Sequence, residues 1–346
     1  MKFTHASKII KLFLVLSSLS LINNSLFAQE VIVLSGPEDS IAWFESKQWW
    51  GETNREQQMA VPRSIITGTG PNWRTNAQGV TVAVKKELFY RFLTPLILHA
   101  NDMVLDRRER LQAIEQQIDA NERPSNDDLA FLGLTADVLH IVDDAEEVTE
   151  EVSFDALKII VSEALYKLDV IPPGLALGQA AYESGYGTSR FANLGNALFG
   201  QWTFGGDGLV PEEQRGELGD HRIAAFDWPF DSVRSYFNNL NGHPAYDDFR
   251  RIRADLRQRG EPLDSQILAD GLIRYSERGQ EYVDTLKSIM RVNNLTVADN
   301  AEFSDEPLSF IVIANDEADK ERVRQEIERM RSTGEIDEIL KQMALE

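Results

Sequence analysis

Apolar positions fall into four stretches along the 346-residue chain. Residues 29–84 show little periodicity. The run 31–34 is strand-like, and Gly, Pro, Asn and Thr cluster around 67–78 as in loops. Trp43, Trp49, Trp50 and Trp73 concentrate here, a density that anchors loop-rich segments by packing. From Val84 to about Val148 the pattern turns helical, with Leu88, Phe92, Leu96, Val104, Leu105 and Leu111 at helical spacings. Ser125, three residues before Asp128, reads as a helix start.

Residues 151–300 carry the clearest helical signal. Leu157, Ile160, Val161, Ala164, Leu165 and Leu168 form one apolar stripe. Pro172-Pro173 opens a second helix over about 174–184, because proline's missing N–H is no loss at the first helical position. Leu175, Ala176, Leu177, Ala180 and Ala181 put small apolar groups on several faces, which predicts a buried central helix stopped by Gly185 and Gly187. A glycine-containing loop then precedes a predicted strand over 222–226. Helices are expected over 232–240, 246–257, 265–275 and 281–292. The last stretch, 301–346, reads as a strand over 308–314 followed by helices over 319–331 and 335–343. The expected organisation is an N-terminal irregular and helical extension over 29–150, a main domain over 151–300, and an accessory βα segment over 301–346.

The first 28 residues stand apart. Lys2, Lys8 and Lys11 precede an apolar run over 12–22, and Ala28 sits before the polar Gln29-Glu30. This is the pattern of a cleavable export signal, too short for a membrane span, and it predicts a periplasmic or otherwise exported protein. Cleavage near Ala28 would remove three lysines and take the net charge from −21 to −24. A retained N-terminal anchor is the other reading. Such an acidic chain is a poor partner for a phosphate backbone, so nucleic acid is excluded as a ligand class. No second apolar stretch approaches the length of a span, so no stable membrane insertion is expected after signal removal.

Without a single cysteine, thiolate nucleophiles and Cys-based metal sites are excluded. His99, His140, His221 and His243 show no metal-ligand spacing, and no Gly-x-Ser-x-Gly or Ser-x-x-Lys motif occurs. No metal or cofactor is expected. Carboxylate chemistry remains. Glu183 lies at the end of the buried helix, where desolvation and the negative end of the helix dipole both favour its protonated form. A general acid needs that combination at neutral pH. The bland reading is a helix-end glutamate paired with Arg190.

The segment Gln179-Ala180-Ala181-Tyr182-Glu183-Ser184-Gly185-Tyr186-Gly187-Thr188-Ser189-Arg190, followed by Gly195-Asn196-Ala197-Leu198-Phe199-Gly200-Gln201-Trp202, resembles Bax-type proteins of the glucosaminidase family (glycoside hydrolase family 73). The resemblance continues through 238–246 and Tyr275-Ser276-Glu277-Arg278-Gly279-Gln280-Glu281-Tyr282, a core of about 140 residues, and extends weakly back to Lys85–Asn101. It implies a mainly α, lysozyme-like fold with a small β-hairpin lobe, and hydrolysis of the β-1,4 bond after N-acetylglucosamine in peptidoglycan strands. It also implies Glu183 as general acid, Tyr275 beside the scissile sugar, and Tyr186, Asn196, Phe199, Trp202 and Tyr282 as substrate contacts.

The second catalytic group stays open. An inverting base belongs about 6.5–9.5 Å from the acid. Glu212 is the first candidate, with Glu213, Glu217, Asp220 or the substrate's own acetamido group as alternatives. A lytic transglycosylase is the rival enzyme, but that class carries Gly-Leu-Met-Gln where this chain has Asn196-Ala197-Leu198-Phe199-Gly200. A non-catalytic wall-binding protein is the rival of another class. The C-terminal segment is either an accessory or partner-docking unit, or, by its similarity to the last helices of periplasmic solute-binding domains, a remnant of one.

Charge generates a first prediction. Peptidoglycan carries many carboxylates, and a chain at −24 is repelled from it at low ionic strength. The screening length falls from about 30 Å at 0.01 M salt to about 10 Å at 0.1 M. Glycan cleavage on wall sacculi should rise with moderate salt more than cleavage of a neutral chito-oligosaccharide. Parallel assays across that range check it, and equal responses would refute it.

Overall fold

The computed structural model describes residues 30–51, 60–68, 73–203, 209 and 222–333. β-branched residues after Glu30 form strand β1 (Glu30–Ser35), and Gly36-Pro37 turns the chain at once into helix α1 (Gly36–Ser46). Two short strands follow, β2 (Ala60–Val61) and β3 (Ser64–Ile66), and then the long helix α2 (Val82–Asp119). Helix α3 (Asn126–Val138) starts where expected, at Ser125, whose hydroxyl accepts the Asp128 amide at 3.1 Å. Next come α4 (Phe154–Lys167) and α5 (Pro173–Ser184), then strands β4 (Trp202–Thr203) and β5 (Arg222–Ile223). Helices α6 (Pro229–Gly242), α7 (Asp247–Gln258) and α8 (Gln280–Val292) complete the main domain. The last elements among the described residues are β6 (Glu302–Phe303), β7 (Ser309–Ala314) and α9 (Glu317–Ser332). The fold is mostly helical, as the periodicity and the resemblance implied.

Helix α5 sits at the centre. Every residue from Pro173 to Ala181 is buried. Gly178 makes this possible on one side, since a Cβ there would lie 2.8 Å from Met290 Cγ of α8. The approach to α5 is held from two directions. Asn101 of α2 brackets Ile171 like a strand partner, donating to its carbonyl and accepting its amide, both at 2.9 Å. Arg253 of α7, fully buried, donates to Lys167 O at 2.6 Å, Asp169 O at 3.0 Å and Asn241 Oδ1 at 2.7 Å. It thereby satisfies carbonyls left open at the end of α4. Asp169 accepts Arg257 through both oxygens at 3.0 Å.

A small β-lobe lies beyond α5. β4 and β5 pair antiparallel, Trp202 opposite Ile223 and Thr203 opposite Arg222, and Leu209 bridges Ile223. The expected strand over 222–226 is shorter, because Phe226 N turns away to donate to Gly195 O at 2.8 Å.

The two ends of the chain differ from the pattern reading. Residues 29–84, expected to be irregular apart from the strand-like run 31–34, contain β1 at that run and also α1, β2 and β3. β7 is the middle strand of a parallel sheet ordered β1-β7-β3, with Glu30 to Ser35 opposite Ser309 to Ala314 and Ser64 to Ile66 opposite Ser309 to Ile311. β2 and β6 pair as well. The C-terminal strand and helix therefore complete the N-terminal region instead of standing apart as an accessory segment. The tryptophans anchor this region as expected. Trp43, Trp49 and Trp50 surround Phe44 at ring distances of 5.1, 5.6 and 6.2 Å, and Phe92 of α2 closes the cluster at 5.0 Å. The expected signal over 1–28 and the helix over 335–343 lie outside the described residues. No helix among the described residues is long and apolar enough to cross a membrane.

Ile311 is 1% exposed in the middle strand. Ile311→Ala should cost about 2–5 kcal/mol in chemical denaturation, the range for a buried isoleucine truncation. A dispensable appendage would show no loss.

Candidate active site

Glu183 is the penultimate residue of α5, and Gly185 caps the helix in the left-handed conformation (φ 58°). Its carboxyl is half-buried. Burial pushes its pKa from the ordinary 4.5 up to about 7, against a hydrogen bond with the Tyr282 hydroxyl that pulls the other way. Desolvation therefore wins over the one local interaction favouring the anion. No ion pair reaches Glu183 among the described residues, so the Arg190 pairing does not form. Gly200, at φ 65°, covers the carboxyl closely, and a Cβ there would lie 3.3 Å from Glu183 Oε2.

Behind the carboxyl stands a wall of tyrosines. Tyr282 of α8 is fully buried and stacks on Tyr275 at 5.6 Å with planes 7° apart. Tyr275 in turn meets Tyr246 at 5.6 Å, and its hydroxyl donates to Phe199 O at 3.0 Å. Tyr236 of α6 donates to Gln179 Oε1 at 2.6 Å, and Gln179 Nε2 donates to the Tyr282 hydroxyl at 2.9 Å. Burial, then neighbouring hydroxyls and Glu183, raise Tyr275 and Tyr282 well above the usual phenol range. The wall is neutral at any working pH.

The expected site residues separate into two groups. Glu183, Tyr275 and Tyr282 come together. Phe199 and Tyr282, expected to touch sugar, are 1% and 0% exposed, so both belong to the wall behind the acid. Phe199 is committed to a 4.0 Å stack on Tyr236. Asn196 Nδ2 donates to backbone, to Phe226 O and Asp227 O at 3.0 Å each. Tyr186 turns to α2, packing its ring 5.9 Å from those of Phe89 and Tyr90, with Lys86 Nζ 5.0 Å from its centre. Trp202 has its backbone in β4. Glu212, Glu213, Glu217 and Asp220 lie outside the described residues. Gln179, Tyr236 and Tyr246 were not singled out from the sequence. A lone amide in an apolar helix was the available signal for Gln179; Tyr246 ends the resembling stretch 238–246, and Tyr236 gave no signal.

Residues 160–295 match the glucosaminidase family, described as mannosyl-glycoprotein endo-beta-N-acetylglucosaminidase. This segment is a glucosaminidase domain. The chain is also 29% identical over 215 residues to Protein bax of Escherichia coli (strain K12), covering 62% of this chain and 72% of that protein. No solved structure matches the chain. The glucosaminidase domain is of glycosidase type, and it holds α5 to α8 and every tyrosine of the wall. Helix α2, which brackets Ile171 and receives Tyr186, lies outside it.

The raised pKa of Glu183 is also a statement about stability. The folded state binds this proton more tightly than the unfolded chain, so stability falls as pH rises from 4.5 to about 7, and the whole penalty is present above 7. At about 1.4 kcal/mol per unit, it is on the order of 3–4 kcal/mol. Glu183→Gln, which cannot ionise, should be more stable than the parent at pH 8 and equal to it near pH 4. Denaturation midpoints at the two pH values check this, and an equal midpoint at pH 8 would show that the carboxyl is not penalised.

Proposed function

We propose that this chain is an exported endo-β-N-acetylglucosaminidase that hydrolyses the β-1,4 bond after N-acetylglucosamine in peptidoglycan, with Glu183 as general acid. The observation that carries the reading is a carboxyl at the end of a buried helix, in a glucosaminidase domain, held with its pKa at about 7. Such a group is about half protonated at neutral pH and still acidic enough to give the proton up.

The step balances simply. The Glu183 proton passes to the glycosidic oxygen as its bond to the anomeric carbon breaks, and the leaving sugar departs as an alcohol. The anomeric carbon takes positive charge and is attacked by water on the opposite face, which loses its proton to a base. Glu212 or its acidic neighbours would supply that base. If the substrate's acetamido oxygen attacks first, water completes the reaction afterwards. Gly200, lacking a side chain, packs against the carboxyl without blocking it by a Cβ, and Tyr275 is close enough to feel its charge.

Peptidoglycan digested with the full chain, reduced with borohydride and examined by mass spectrometry, tests the reading. Reduced N-acetylglucosamine ends are expected, with activity declining above about pH 7, and Glu183→Gln should fold yet lose nearly all of them. Anhydromuramyl ends would make the protein a lytic transglycosylase. Co-sedimentation with sacculi and no new ends would make it a wall-binding protein.

A further inference from the structure

Three hydroxyl and amide groups form a chain that ends on Glu183: Tyr236 to Gln179 at 2.6 Å, Gln179 to Tyr282 at 2.9 Å, and Tyr282 to the carboxyl. Tyr236, Gln179 and Tyr282 are all 0% exposed, so water cannot replace any of these partners. The direction of the chain follows from counting donors. Tyr236 is the dead end, and its proton has Gln179 Oε1 as its acceptor. That contact fixes which way the amide faces, because the reverse orientation would strand the Tyr236 proton in an apolar site. The amide then presents N–H to the Tyr282 oxygen. With its oxygen already accepting, Tyr282 has its own proton free for one remaining partner, the Glu183 carboxyl.

We propose that Gln179 and Tyr236 are positioning residues that force the Tyr282 hydroxyl to donate to Glu183. This rests on Glu183 as the acid. The consequence is mechanistic. A hydroxyl that donates to one carboxyl oxygen leaves the acidic proton on the other, so the proton of Glu183 is directed away from the wall. The same donation stabilises the carboxylate left after proton transfer. Donation from Gln179 polarises the Tyr282 O–H and makes it a stronger donor. The ionisable groups facing Glu183 among the described residues are Tyr246 from the turn before α7, Tyr275 from the turn before α8, and Tyr282 from α8 itself. All three are neutral over the pH range concerned, so none competes with the effect.

The test reads the carboxyl directly. The Glu183 side-chain carbon, assigned by its absence in Glu183→Gln, is titrated by ¹³C NMR in the full chain and in Tyr282→Phe, Tyr236→Phe and Gln179→Met. Each substitution removes stabilisation of the anion, so each should raise the Glu183 midpoint, with Tyr282→Phe the largest shift. Placed on the Tyr282→Phe background, the other two should add nothing, since their effect passes through that hydroxyl. A midpoint that stays put in both Tyr236→Phe and Gln179→Met would overturn the proposal. So would shifts that persist on the Tyr282→Phe background. Tyr236→Phe keeps its ring stack on Phe199, so it stays informative if Gln179→Met fails to fold. The titration needs no turnover: retained glycan cleavage in Glu183→Gln would refute the functional reading alone, while the midpoints would still decide the positioning chain.

Discussion

Around the site, everything depends on ending a helix without a solvent face in a carboxyl. Apolar neighbours and the negative end of the helix dipole both oppose ionisation there. The rest of the domain maintains that burial. Gly178 lets α8 close on α5, Asn101 and Arg253 fix the chain as it enters the helix, and Gly185 ends it within two residues of the acid. If α5 loosened enough to admit water, the pKa of Glu183 would fall toward 4.5, and the acid would lose its proton before it could use it.

A second buried carboxyl shows how much depends on neighbours. Burial alone would raise Asp169 as it raises Glu183, but Arg257, Arg253 and Arg108 hold Asp169 below its usual range. The ionisable groups facing Glu183 among the described residues are tyrosines instead. The difference decides the roles: Asp169 is a permanent anion tying α4 to α7, and Glu183 can hold a proton at pH 7. Environments that push two similar groups apart are how one protein uses carboxylates for both structure and chemistry. An arginine placed where Tyr282 stands would convert the second case into the first.

What the sequence made legible followed from local rules. Helix α5 was readable because proline opens it, glycine closes it and its apolar residues cover all faces. Glu183 was readable because it is the one carboxylate in that setting. The β1-β7-β3 sheet was not, since each strand is six residues or fewer and finds its partner in parallel, hundreds of residues away. Where Phe199 and Tyr282 face was not legible, because a motif gives spacing but not facing: both are buried, Tyr282 against the carboxyl itself and Phe199 on the Tyr236 ring. The backbone hydrogen bonds of Asn196 were not legible for a related reason: an amide in a motif serves equally well to pin a backbone turn.

The segment that matches the family is not the whole of what holds its site. Trp73 donates its indole N–H to Tyr186 O at 3.1 Å, three residues beyond the acid, and Gly187 lies so close that a Cβ would come within 3.0 Å of that indole nitrogen. Phe89 and Tyr90 of α2 receive the Tyr186 ring, and Asn101 brackets Ile171 at the other end of α5. Helix α2 therefore grips the acid-bearing helix at both ends. α2 is in turn packed by the tryptophan cluster under the β1-β7-β3 sheet, whose middle strand comes from the far end of the chain. The geometry at Glu183 thus depends on residues before 160 and after 295, and the boundary of the family match falls inside the unit that positions the acid.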